Sequence, residues 1–129
     1  MAQVKIYGLK ENLTNNRKLI SKAIHESVME AFGLPENKKF HRFIMLEEEN
    51  FLFPDDRNEK YTIIELSIFE GRSKESKKDL INLLFEKLDF YSGIDQQNVE
   101  VTIFETPMSN WGIRGMPGDE LVLNYKVKV

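Results

Sequence analysis

Ile63-Ile64-Glu65-Leu66-Ser67-Ile68-Phe69 runs directly into Glu70-Gly71-Arg72-Ser73-Lys74-Glu75. The first part is a short apolar run with strand character. From about Lys74 to Tyr91 the spacing becomes helical, with Leu80, Ile81, Leu84, Leu88 and Tyr91 on one face and Lys77, Lys78 and Lys87 mostly elsewhere. Ser73 is placed to cap the first turn. After Gly93 comes a second strand-like run, Val99-Glu100-Val101-Thr102-Ile103-Phe104-Glu105, and then Asn110-Trp111-Gly112-Ile113-Arg114-Gly115. Two strands joined by a helical crossover make a βαβ unit.

Outward from this stretch the pattern is found again, more faintly. Val4, Ile6 and Leu9 form a short strand, and Asn12 to Asn16 reads as a capping cluster in which Thr14, Asn15 or Asn16 receives the first free helix N–H groups. Leu19, Ile20, Ala23, Ile24, Val28, Ala31 and Phe32 predict a helix over about 15–32, stopped by Gly33 and Pro35. His41 to Leu46 reads as a strand containing Arg42, and Glu47 to Lys60 as a polar loop or hairpin. Gly33-Leu34 matches Gly93-Ile94, and Asn50-Phe51 matches Asn110-Trp111, both at an offset of 60, whereas Arg42–Glu47 matches Glu100–Glu105 at 58. This predicts two copies of one unit, about 1–53 and 61–115, with a two-residue slip between them. Leu121 to Val129 alternates in its last part, and a strand is expected at about 121–129.

The expected fold is therefore α+β. Two tandem βαβ units in a single domain, 1–129, give a four-stranded sheet with both helices on one face. The other sheet face carries apolar residues with nothing left in the chain to cover them, which predicts self-association. The chain has 129 residues, 41% hydrophobic and 30% charged, the composition of an ordinary globular domain. A net charge of −3 offers no basic field for nucleic acid or an anionic membrane. The absence of cysteine excludes disulfides and thiolate chemistry. No apolar run approaches the roughly 18–20 residues needed to span a bilayer. The start of the chain lacks the apolar core of a signal peptide, so a cytoplasmic location is expected.

The segment from Ile68 through Glu70-Gly71-Arg72-Ser73 to Lys77, with Leu80-Ile81 after it, resembles the tautomerase superfamily, whose small members include 4-oxalocrotonate tautomerase. Val99–Glu105 and Asn110–Gly115 resemble their second strand and the aromatic-glycine turn after it. The fused length and the stretch from Trp111 to Leu121 look most like the branch containing malonate semialdehyde decarboxylase. The resemblance implies a homotrimer with sheets facing inward. It implies a keto–enol tautomerase, or a decarboxylase, acting on a small 2-oxo carboxylic acid through an N-terminal amine. It implies no organic cofactor. The family's catalytic proline is absent, because residue 2 is Ala2, and the matching position in the second unit is Thr62. The alternative is a catalytically silent trimer that binds a small anion or serves as a scaffold.

The candidate catalytic residues are Ala2, Arg42 and Arg72. An exposed Ala2 α-amine would titrate near 7.7–8.0, close to what proton abstraction beside a carbonyl requires; the plainer reading is the start of an edge strand. Arg42 matches the family's carboxylate-holding strand arginine, or else pairs with Glu47-Glu48-Glu49. Arg72 stands at a helix entry where an anion meets guanidinium and free N–H groups, or else pairs with Glu70 or Glu75. Trp111 and Arg114 are the candidate substrate-binding residues. Trp111 would wall the pocket or simply anchor its turn. Arg114 lies in a glycine-rich turn that fits no phosphate loop and serves equally as a trimer contact. Glu100 is read as pairing with an arginine such as Arg42 across an interface. His25 and His41 have no clear ligand set for a metal, and the Glu47–Asp56 carboxylates lack calcium-loop spacing.

Overall fold

The computed structural model describes residues 2–129. The chain runs through strand β1 (Ala2–Leu9), helix α1 (Lys10–Phe32), strand β2 (Phe40–Leu46), strand β3 (Thr62–Phe69), helix α2 (Lys74–Ser92) and strand β4 (Val99–Thr106). A small hairpin follows, β5 (Gly112–Ile113) with β6 (Met116–Pro117). The four long strands form one sheet in the order β2-β1-β3-β4. Each βαβ unit contributes a parallel pair, and the two units meet along an antiparallel β1–β3 seam.

Side-chain alternation divides the sheet faces. Val4 and Ile6 of β1, and Ile64, Leu66 and Ile68 of β3, point into a core built with Ile20, Ala23, Ile24 and Phe32 of α1 and Leu80, Leu84 and Leu88 of α2. Each of the buried Val, Ile, Leu and Phe side chains among these contributes about 1.5–3 kcal/mol on leaving water. Both helices stop at a left-handed glycine: Gly33 and Gly93 each have φ 67°. The opposite sheet face is left with Phe40 and Phe104 at 41% and 47% exposure, together with half-buried Ile44, Leu46 and Ile63.

The repeat is more regular than the sequence suggests. Gln3 pairs with Phe40 and Ile63 with Glu100, a separation of 37 in each unit. β1 and β3, Gly33 and Gly93, and the short turns Glu48–Asn50 and Met108–Asn110 are all related by an offset of 60. The expected two-residue slip is absent. The ladder makes Arg42 equivalent to Thr102, and Glu100 equivalent to Phe40. A slip of two leaves every side chain on its own sheet face, so polarity alone could not expose the error. At the seam, paired positions sum to 70, so Lys5 stands opposite Glu65, its own equivalent.

Two other expectations are corrected. Helix α1 begins at Lys10, five residues before the expected start, after Leu9 and without a side-chain cap. Asn12 and Asn16 are used inside the helix, where Asn16 Nδ2 donates to Asn12 Oδ1 at 2.9 Å. The segment 121–129 forms no strand. Its alternation is one-sided burial: Leu123, Tyr125 and Val127 pack in one cluster with Phe69 and Trp111.

Candidate functional site

Arg72 is set by the turn that ends β3. Glu70 N–H donates to the Thr106 carbonyl at 3.0 Å, and Gly71 follows at φ 130°. Only glycine is comfortable there, and a Cβ would also stand 3.0 Å from Val127 Cγ1. The turn drives Arg72 inward to 4% exposure. Its guanidinium lies 4.7 Å from the centre of the Phe32 ring, and Nη1 donates a long bond to the Phe69 carbonyl at 3.4 Å. Nε and Nη2 are buried and have no acceptor among the described residues. Burial pulls the Arg72 pKa down, opposed by Tyr125 and by the Glu105 carboxylate. Neither Glu70 nor Glu75 pairs with Arg72 among the described ion pairs, and Glu105 is held by Lys77 at 2.7 Å.

Trp111 stands edge-on to Phe69, ring centres 4.9 Å apart. Gly118 N–H donates to the Trp111 carbonyl at 2.7 Å, and a Cβ on Gly118 would stand 2.5 Å from the Met108 carbonyl oxygen, so the hairpin holds the indole firmly. Arg114 occupies the exposed hairpin tip at φ 51°, an uncommon conformation for a residue with a side chain. Tyr125 has its pKa raised by burial, against the pull of both Arg72 and Arg114, which places the phenol within electrostatic range of the two guanidiniums. Ala2 is 2% exposed and pairs with Ile68, so the start of β1 lies at the same end of β3 as Arg72.

The chain thus gathers Arg72, Trp111 and Tyr125 at one end of β3, with Ala2 beside it and Arg114 at the rim. It does not bring Arg42 there. Arg42 lies on the uncovered face of edge strand β2, where its Nη2 donates to Gln3 Oε1 at 3.3 Å. Glu100 is served within the chain, by Arg57 at 3.5 Å and by the Tyr61 hydroxyl at 2.9 Å. His41 Nδ1 hydrogen-bonds Ser21 Oγ at 2.7 Å, and its pKa is lowered to about 4 by burial, His25 and Lys39. No cluster of metal-ligating side chains occurs among the described residues. A cleft of about 430 Å³, lined by Leu9, Lys10, Glu11, Asn15 and Glu47 among others, lies at the far end of β1 from Ala2. Its lining includes no buried polar group without a partner.

Phe32 and Tyr125 were not singled out from sequence. Phe32 looked like another core position of α1, and Tyr125 part of a strand. The pairing of Gly71 with Val127 across 56 positions left no local signal.

A family model described as "Tautomerase enzyme" matches residues 38–114. The chain is 39% identical over 57 residues to 2-hydroxymuconate tautomerase from Comamonas testosteroni, covering 44% of this chain and 90% of that protein. It is 37% identical over 57 residues to the enzyme of the same name from Pseudomonas putida. Its fold is similar to that of malonate semialdehyde decarboxylase (TM-score 0.80, 20% identity, 91% of this chain and 94% of the other). It is equally similar to a native fused 4-OT (TM-score 0.80, 16% identity, 92% and 98%). No helix among the described residues is long and apolar enough to cross a membrane.

Proposed function

The chain belongs to the tautomerase family, and from that premise we propose that it moves a proton beside the carbonyl of a small 2-oxo carboxylic acid, or decarboxylates a related acid. One observation carries the reading: a buried guanidinium whose Nε and Nη2 lack protein acceptors. Buried polar groups are almost always satisfied, and buried charges are almost always paired. A carboxylate accepting from Nε–H and Nη2–H would meet both needs through a bidentate pair.

The base is the α-amine of Ala2, free once Met1 is removed. In ketonisation it accepts the proton of the enol hydroxyl and then delivers a proton to carbon. Its ordinary pKa of about 7.7–8.0 leaves a useful free-base fraction near neutrality. Trp111 and Phe69 form an apolar wall that excludes water and strengthens the guanidinium–carboxylate attraction. Arg114 meets the ligand at the rim. Arg42 contributes only across an interface, in a homotrimer whose exposed sheet faces turn inward; a fused 4-OT has been solved as a trimer.

Ketonisation of a small dicarboxylic enol, followed across pH with the N-terminus defined by intact mass, tests this. Turnover only with Ala2 exposed, rising through a pKa below about 8, is expected. No rate above buffer with either N-terminus overturns the enzymatic reading. The second reading, a silent anion-binding trimer, draws on the residue at position 2, Ala2, where the family carries its catalytic proline. It would be supported by malonate binding that depends on Arg72 without turnover. A compact monomer in sedimentation at micromolar concentration would contradict the trimer.

A further inference from the structure

Resting on the reading of Arg72 as a carboxylate holder, we propose that Phe32 is a positioning residue for its guanidinium: the ring pins the cation through its π face and leaves Nε–H and Nη2–H open to a bound carboxylate. Phe32 reaches this place through the topology of the first unit. A parallel partner for β1 requires a crossover that returns the chain to the end of the sheet where β1 began. Helix α1 makes that return, and its last residue is Phe32. Gly33 stops the helix there in the left-handed conformation, its N–H donating to the Met29 carbonyl at 2.8 Å. The end of α1 thus falls beside the turn that carries Arg72.

The contact is close and buried on both sides. Phe32 is 1% exposed and Arg72 4%, and the guanidinium carbon Cζ stands 4.7 Å from the ring centre. A cation within about 6 Å of a ring centroid is attracted by the ring quadrupole, more strongly where water is excluded. An aromatic face offers no oxygen acceptor, so it holds the charge without occupying the donors that a carboxylate takes. The hydrogen bonding agrees. Nη1 donates its long bond to the Phe69 carbonyl at 3.4 Å, and Nε and Nη2 have no acceptor among the described residues. A protein carboxylate in the ring's place would fix the cation and neutralise it as well, and none of the described ion pairs involves Arg72. Released from the ring, the side chain would rotate and turn its open donors to backbone carbonyls or water. Ring and cation also occur together. At the other end of the seam, at the offset of 60, Ser92 replaces Phe32 and Asn12 replaces Arg72.

Calorimetry of malonate binding to the full chain tests this. Phe32→Leu keeps an apolar core side chain and removes the ring, and malonate affinity should fall about threefold to thirtyfold. Phe32 also packs in the core, so a second series separates holding the cation from filling space. Position 32 is given mono-, di- and pentafluorinated phenylalanine, which keep the outline of the ring and withdraw charge from its face step by step. Affinity should fall in that order while circular dichroism shows the fold retained. A role in packing alone predicts no such trend. Affinity that ignores fluorination, or that is unchanged in Phe32→Leu, overturns the role of the ring. Should Phe32→Leu not fold, the fluorinated series decides by itself. Failure of the underlying reading looks different: the native chain would bind no malonate, or Arg72→Ala would bind it as tightly as the native chain, and the role of Phe32 falls with it.

Discussion

The two ends of the antiparallel seam are built from equivalent positions and have opposite characters. At one end stand Ala2, Phe32 and Arg72; sixty residues on or back, at the other, stand Thr62, Ser92 and Asn12. Asn12 Nδ2 donates to Thr62 Oγ1 at 3.2 Å and to the Lys60 carbonyl at 3.3 Å. Thr62 Oγ1 donates to the same carbonyl at 2.8 Å, and Ser92 Oγ donates to Leu88 O at 2.6 Å. Asn12, Thr62 and Ser92 thus spend their hydrogen bonds within the chain, although Arg57 Nε beside Tyr61 is buried at that end without an acceptor among the described residues. The Arg72 end leaves two charged donors unmet. One backbone frame thus carries a structural polar cluster and a binding-type one, and the difference lies in whether the hydrogen-bonding capacity is spent internally.

The contrast can be broken most directly through turnover. Arg72→Ala should lower kcat/KM for a small 2-oxo acid by about 100-fold or more, while Asn12→Ala stays within about twofold of native once folded. Equal losses in both would erase the distinction between the ends. Acid should next separate the two halves, because His41 has Val101 as its equivalent. The folded His41 pKa of about 4 lies below the ordinary 6.5, so the unfolded chain binds the proton first. Stability is therefore full above about pH 6.5 and falls between there and pH 4, by about 2–3 kcal/mol. Urea unfolding at pH 7 and pH 4.5 checks this, and His41→Phe should flatten the difference.

Stability should also split the two ends by sign. Asn12→Ala strands the Thr62 hydroxyl's neighbourhood and should cost about 1–3 kcal/mol in urea midpoints. Arg72→Met removes an unpaired buried charge and should be neutral or stabilising by about 1 kcal/mol. A destabilised Arg72→Met would mean that the guanidinium already has the partner it needs. The smallest expected effect concerns where the halves agree. Gly33→Ala and Gly93→Ala, both at φ 67°, should each cost about 1 kcal/mol.

The layers of this fold were legible because their signals are local and repeated. The helical spacing from Leu80 to Leu88 and the two stop glycines needed only a few residues of context. The start of α1 was misplaced because Asn12 to Asn16 is rich in residues that favour caps, and tertiary bonds to Lys60 and Thr62 hold Asn12 inside the helix instead. The segment 121–129 alternates for a reason that periodicity cannot distinguish from a ladder. Arg72 is singled out by its motif and its place at a helix entry, yet the burial of its guanidinium against the Phe32 ring depends on a residue remote in sequence. Arg42 shows the converse, since a motif-level match at an offset of 58 fell two positions from the equivalence that the ladder defines.

At the centre of the seam Lys5 faces Glu65. In an assembly of two identical short chains this position would meet a copy of itself, and any charge placed there would face its own sign. Joining the halves in one polypeptide lifts that restriction. Opposed strand neighbours of opposite charge then favour the seam by about 0.2–1 kcal/mol. Two loose halves could pair in either of two like combinations, Lys with Lys or Glu with Glu, and both would repel. The mixed pair favours the alignment of unlike halves, so this one column of the sheet marks where duplication ceased to be symmetry and became a division of labour.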